Sequence, residues 1–229
     1  MLKILARFIC VFTLLLAGAA QAQVPPSDAE IKAYKGLFAA AHKGDVASIK
    51  KLVKAKAKVD ARDARGRTPL LVAAYAQKRD AMRALVAAGA DPNALDADRY
   101  DMVTIAAVAD DIATLEVALE LGNKATNITS RYDGTALIAA AHLGHSEVVR
   151  TLILAGAPID HVNNLGWTAL IESIVLGDGG TRHTDTLATL VRAGADVNIP
   201  DRAGLTPLHL AQADGYREMA AILESAGAR

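Results

Sequence analysis

The chain has a single cysteine, Cys10, among its 229 residues. An intramolecular disulfide is excluded, and so is a cysteine-rich metal site. Aromatic residues make up only 4% of the chain, against 52% hydrophobic residues in all. The apolar content is therefore mostly Ala, Leu, Val and Ile, which suits helices packed closely through small side chains. No charge sign is in excess, since 25 Lys plus Arg balance 25 Asp plus Glu. That balance argues against a general nucleic-acid binder, which needs a positive excess. One apolar run stands out, Phe8 to Leu16, interrupted by Thr13. It is shorter than the ~20 residues a spanning helix needs.

Residues 1–22 read as a secretory signal. Lys3 and Arg7 form the positive start, the apolar run follows, and Ala20-Gln21-Ala22 is a small-x-small cleavage site. The alternative is an uncleaved anchor, which the length of the run disfavours. Cleavage after Ala22 would start the mature chain at Gln23, remove the only thiol and leave 23 basic against 25 acidic residues. The short, Ala-ending signal points to the periplasm of a Gram-negative bacterium, with secretion as the alternative. No membrane association is expected once the signal is removed.

The remainder is repetitive. Arg65-Gly66-Arg67-Thr68-Pro69-Leu70 is echoed by Gly134-Thr135-Ala136-Leu137, Gly166-Trp167-Thr168-Ala169-Leu170 and Gly204-Leu205-Thr206-Pro207-Leu208-His209. The step from Thr135 to Thr168 is 33 residues, and that from Thr68 to Thr135 is 67, two steps with one residue to spare. A second motif, Gly89-Ala90-Asp91-Pro92-Asn93, recurs as Gly156-Ala157-Pro158-Ile159-Asp160, Gly194-Ala195-Asp196-Val197-Asn198 and Gly227-Ala228. It follows its Thr by 21, 21, 26 and 21 residues. Thr68 and Thr206 suit helix caps, with Pro69 and Pro207 in the first turn, where a missing N–H costs nothing. Ala73-Ala74, Ala106-Ala107 and Ala139-Ala140 let helices approach closely, and Val148, Val149, Leu152 and Ile153 stripe the second helix. Gly89, Gly156 and Gly194 suit left-handed helix ends. No such unit buries its own apolar faces, so stability comes from stacking.

This pattern resembles the ankyrin repeat over nearly all of the chain beyond residue 22. The resemblance implies an all-α solenoid of about six helix-turn-helix units joined by β-hairpin loops. The expected organisation is a linker at 23–30 and a repeat domain at 31–229, with units near 31–62, 63–95, 96–129, 130–162, 163–200 and 201–229. Ser27 to Glu30 reads as a capping box that starts the first helix. Unit one is lysine-rich (Lys32, Lys35, Lys43, Lys50, Lys51, Lys54, Lys56 and Lys58), which reads as a solvated cap or a patch for an acidic partner. Unit three lacks the Thr-Pro-Leu signature, so Tyr100 and Asp101 either belong to a looser unit or serve binding. Unit five carries about five extra residues, assigned to an exposed loop at Gly177 to Arg182.

The residues offer no catalytic constellation, no cofactor and no metal site. Asp178, His183 and Asp185 lack metal-ligand spacing, and the glycines at 177–180 lack the strand-helix context of a phosphate loop. His145, His183 and His209 read as structural. Asn127-Ile128-Thr129 matches a glycosylation acceptor to which the bacterial-type signal gives no meaning.

The resemblance implies a non-enzymatic module, a monomer that binds a protein through a concave face of hairpin tips and first helices. Carried onto this sequence, the tip positions are Arg65, Arg67, Tyr100, Arg131, Tyr132, Leu165 and Trp167. Tyr75, Val108, His142, Leu143, Val175 and Leu176 lie on first helices. Tyr, Trp and Arg dominate binding hot spots. A secreted effector acting on a host protein, and an enzyme on a repeat scaffold, are the alternatives.

Overall fold

Thirteen α-helices and no strand make up the described part of the computed structural model, residues 23–229. The signal-like segment 1–22 lies outside the described residues. α1 (Asp28–Ala33) starts at Ser27, whose side chain accepts from the Glu30 N–H while Glu30 reaches back to the Ser27 N–H, so the expected capping box forms. Helix thus begins inside the segment read as a linker.

Six helix pairs follow: α2 (Gly36–Lys43) with α3 (Val46–Lys54), α4 (Pro69–Tyr75) with α5 (Arg79–Ala87), α6 (Met102–Val108) with α7 (Ile112–Glu120), α8 (Ala136–His142) with α9 (Ser146–Leu154), α10 (Ala169–Val175) with α11 (Thr181–Arg192), and α12 (Pro207–Ala213) with α13 (Arg217–Ser225). First helices pack on first helices and second on second, in chain order, which makes two rows. Thr68, Thr135, Thr168 and Thr206 each accept a hydrogen bond from the N–H three residues on, and Asp101 does the same where the threonine is missing. Asp101 is buried and also accepts from Asn123 and Asn127, so it is a structural residue and not a binding one. The seam between first helices is lined by buried alanines, Ala73-Ala74, Ala106-Ala107 and Ala140-Ala141. In α8 the close-packed pair thus lies one residue later than its sequence suggests, and Ala139 stays half-buried.

Where β-hairpins are expected, each tip is a short turn closed by one backbone bond, such as Asp63 N–H to the Arg67 carbonyl at 3.0 Å, and reinforced by a side chain. Oδ1 of Asp63 accepts from the N–H of Arg65 and of Arg67, each at 2.9 Å. Asp96, Asn163 and Asp201 close their tips in the same way. Thr129 replaces the acid in the third tip, which is one residue longer, and there an isolated bridge pairs Thr129 with Gly134. This accounts for the spare residue between Thr68 and Thr135. Backbone bonds link successive tips: Ala97 N–H to Arg65, Ser130 N–H to Arg99, and Asn164 N–H to Tyr132.

The insertion in unit five is also not simply a loop. Three of its residues lengthen the second helix, since α11 spans 12 residues where α9 spans 9. Gly179, at φ +68°, lies under the Tyr216 ring, where any side chain would collide. Nε2 of His183 donates to the His142 carbonyl at 3.0 Å, and its Nδ1 lies 2.9 Å from Asp178. Nδ1 of His145 donates to the Ala107 carbonyl at 2.9 Å. Both rings thus tie one unit to the preceding one. His209 bonds instead to Thr206 of its own helix.

Arg67 departs most from its expected place. It is fully buried, with Nε 2.7 Å from Asp63 and a second nitrogen bonded to Glu30. The Tyr34 hydroxyl donates to the other side of Asp63 at 2.8 Å. Hydrogen bonds from the Ser27 backbone and side chain, with those from Arg67, hold Glu30 down at about 2. Burial pushes the Asp63 carboxyl up, but its bonds from Tyr34 and Arg67 outweigh that and hold it below the usual carboxylate range. Both acids therefore stabilise the fold above their unfolded titration range, and that contribution is lost as pH falls from about 5 toward 2. Arg67→Met is expected to cost about 3 kcal/mol, because it takes the buried cation away from two part-buried carboxylates. Urea midpoints measured between pH 7 and pH 3 should show this loss, and a shallower fall with acid in the variant than in the parent.

Candidate functional site

The tip arginines are spent on neighbouring tips. Arg131 meets Asp98 at 2.8 Å, Arg99 meets Asp133 at 2.8 Å, and Arg202 bonds the Asn164 carbonyl. Arg65 is exposed and 3.8 Å from Glu30. Arg67 lies within the fold and offers nothing to a partner, because two acids outbid solvent for its guanidinium.

Tyr75 is half-buried, with its hydroxyl 3.3 Å from Asp96. Burial, then the charge of Asp96, raises its hydroxyl above the ordinary phenol range. Burial also raises Asp96 itself. Tyr75 lines one cavity, of about 250 Å³, with Gln23 and Pro25 of the N-terminal segment against it. Trp167 and Val175 pack partly against the core, Leu165 is half-buried beside them, and Leu176 is exposed.

A second cavity, of about 300 Å³, gathers five of the candidate residues. Tyr100 and Tyr132 come from successive tips, Val108 from α6, and His142 and Leu143 from the end of α8. Burial and the nearby Asp98 raise the Tyr100 hydroxyl above its ordinary value. Gln23 touches this cavity too. Its floor includes Ala139, Asn163 and Glu172, which were not among the expected binding positions.

Glu172 sits in the middle of α10 and is 4% exposed. A buried carboxylate is costly unless it is paired. Its Oε1 accepts from Nδ2 of Asn163 at 2.9 Å, and its Oε2 lies 3.4 Å from Nδ1 of His142. The tip residue here is Asn, where three other tips carry Asp63, Asp96 and Asp201. An aspartate would set a second carboxylate against Glu172, whereas the asparagine amide donates to it. The signal was present in the sequence as a coincidence of two departures, Asn163 in the tip and Glu172 four residues after the helix cap.

Among the described residues no three His, Cys, Asp or Glu side chains are grouped to hold a metal ion. No helix there is long and apolar enough to cross a membrane.

The paired rows of helices have counterparts in known proteins. The family described as ankyrin repeats (3 copies) matches residues 4–96 and 103–201. This chain belongs to the ankyrin-repeat family. It is 32% identical to the ankyrin repeat protein YahD of Escherichia coli K12 over 190 residues, 82% of this chain and 94% of YahD. An ankyrin repeat domain from Acinetobacter baumannii AYE superposes with a TM-score of 0.78 at 44% identity, covering 84% of this chain and 98% of that one. The ankyrin repeat domain of Bcl-3 gives a TM-score of 0.76 at 27% identity, covering 86% and 87% of the two chains. Ankyrin repeats generally serve as protein–protein interaction modules, and chains of this fold are typically non-enzymatic scaffolds.

The pairing of Asn163 with Glu172 is directly testable. Asn163→Asp is expected to lower the urea midpoint, and Glu172→Gln in the same chain should recover most of the loss. The coupling should be on the order of 1–2 kcal/mol in a double-mutant cycle. Additive effects would mean that the two side chains do not sense each other.

Proposed function

We propose that this ankyrin-repeat protein is a non-enzymatic capture module of about six units, monomeric, working in the periplasm. Its partner is a protein, held through the concave face that the tips and first helices of units two to five present. One observation carries this reading: Tyr100, Tyr132, Val108, His142 and Leu143, from two successive tips and two first helices, converge on one cavity. Half-exposed aromatic and aliphatic groups around a recess, with ion-paired tips beside them, have the make-up of a binding hot spot and its polar rim. Stacked repeats extend such a surface in one direction and suit it to a long partner segment. The balanced charge, 25 against 25, gives no electrostatic footprint for nucleic acid. The signal-like segment 1–22 supports export, and a fold without thiols tolerates an oxidising compartment.

Trp167 packs partly on the core, so its removal would confound binding with stability. Tyr132 and Leu176 are the better pair of probes. Tyr132→Ala with Leu176→Ala is expected to reduce capture of partner from periplasmic extract at least tenfold, with the circular dichroism and melting temperature close to the parent. Undiminished capture by the double variant would remove this face from the function. Export is tested separately by expressing the chain from Met1 in a Gram-negative host and sequencing the N-terminus of the osmotic-shock fraction. A start at Gln23 is expected, and cytoplasmic retention would overturn the assignment.

A further inference from the structure

The residue four positions after the first-helix cap changes character along the row, beginning with the half-buried Ala39 of α2. In α4, α6 and α12 it is a buried aliphatic, Val72, Ile105 or Leu210. In the adjacent helices α8 and α10 it is Ala139 and Glu172. The short alanine removes the side chain that would fill the space, and the glutamate puts a carboxylate at its edge. Both residues line the cavity of about 300 Å³.

The carboxylate is only half used. Oε1 holds Asn163 at 2.9 Å, while Oε2 has the loose approach of His142 at 3.4 Å, whose side chain is 41% exposed. A buried carboxylate oxygen without a close donor is a strong acceptor for a cation. The rest of the wall suits the stem of such a cation. Tyr100 and Tyr132 offer ring faces, and Val108 and Leu143 offer aliphatic surface.

Resting on the protein-binding reading above, we propose that this cavity receives a primary ammonium, the end of a lysine side chain of the partner, with Glu172 as its anionic anchor. A guanidinium fits less well. Its fork pairs with two carboxylate oxygens at once, and one of the two is already committed to Asn163. The ammonium needs a single close oxygen and takes the second place on Glu172 that His142 fills poorly. Ala139 supplies the depth that lets the four-carbon stem descend.

The test uses N-acetyl-lysine methylamide and its uncharged counterpart N-acetyl-norleucine methylamide, titrated into the ¹⁵N-labelled protein and followed by NMR. The lysine probe is expected to shift the amide resonances around Ala139 and Glu172 and to bind at least tenfold more tightly than the norleucine probe. Glu172→Gln keeps an oxygen for Asn163 and should erase that preference. Ala139→Leu fills the space without touching the carboxylate and should weaken the lysine probe at least tenfold. Equal binding of the two probes, no binding of either, or a preference that survives Glu172→Gln overturns the proposal. Should Glu172→Gln fail to fold, Ala139→Leu decides, and undiminished lysine binding in it has the same consequence. Protein capture that depends on Tyr132 and Leu176 but shows no lysine preference sinks the ammonium pocket alone. Loss of the lysine preference therefore separates this inference from the wider reading.

Discussion

Every other feature of this chain depends on one constraint: a single helix pair cannot bury its own apolar surface. Ala73-Ala74 of α4, Ala106-Ala107 of α6 and Ala140-Ala141 of α8 are almost fully buried because the neighbouring first helix lies against them. A side chain longer than a methyl group there would push adjacent units apart. The second helices bury Leu85, Leu115, Leu152, Leu190 and Leu223 in a parallel row. Stability is thus a sum of unit-to-unit interfaces. Two histidine–carbonyl bonds, His145 to Ala107 and His183 to His142, cross these interfaces and tie adjacent units together.

The tips show how one device is adapted along the stack. An acidic or amide side chain closes the turn with one oxygen, which leaves its second polar atom for local use. Asp63 spends it on Arg67 and Tyr34, Asp96 on Tyr75, and Asn163 on Glu172. In the first case the result is an N-terminal lock, since Arg67 also holds Glu30 of α1. In the third, a carboxylate is kept at the floor of a cavity. Structure and candidate site therefore use the equivalent position of different turns, an accepting oxygen in Asp63 and a donating nitrogen in Asn163.

Much of this was readable in the residues. Threonine caps, turn glycines and the regular step located the helix pairs, because local rules act within a few residues. The capping box at Ser27 was readable for the same reason. Arg67 was not, since it shares its spacing with the exposed Arg65 and differs only in having two acids within reach, one of them 37 residues away. The tips were read as β-hairpins; each keeps one closing backbone bond, such as Asp63 N–H to the Arg67 carbonyl, a ladder too short to count as a strand. The extra residues of unit five extended a helix, because Asp178 and the glycine under Tyr216 gave α11 an earlier start.

Glu172 marks the boundary between the two kinds of knowledge. Its position four residues after a cap is a property of sequence alone, and so is the alanine 33 residues before it. Sequence also determined the repeat, the absence of thiols in the stack and the balance of charge, since each is a matter of composition or short-range order. Only the tertiary structure decided that Ala139, Glu172, Asn163 and two tyrosines share one recess. Stacking converts a separation of one repeat into side-by-side contact, and this cavity lies between units.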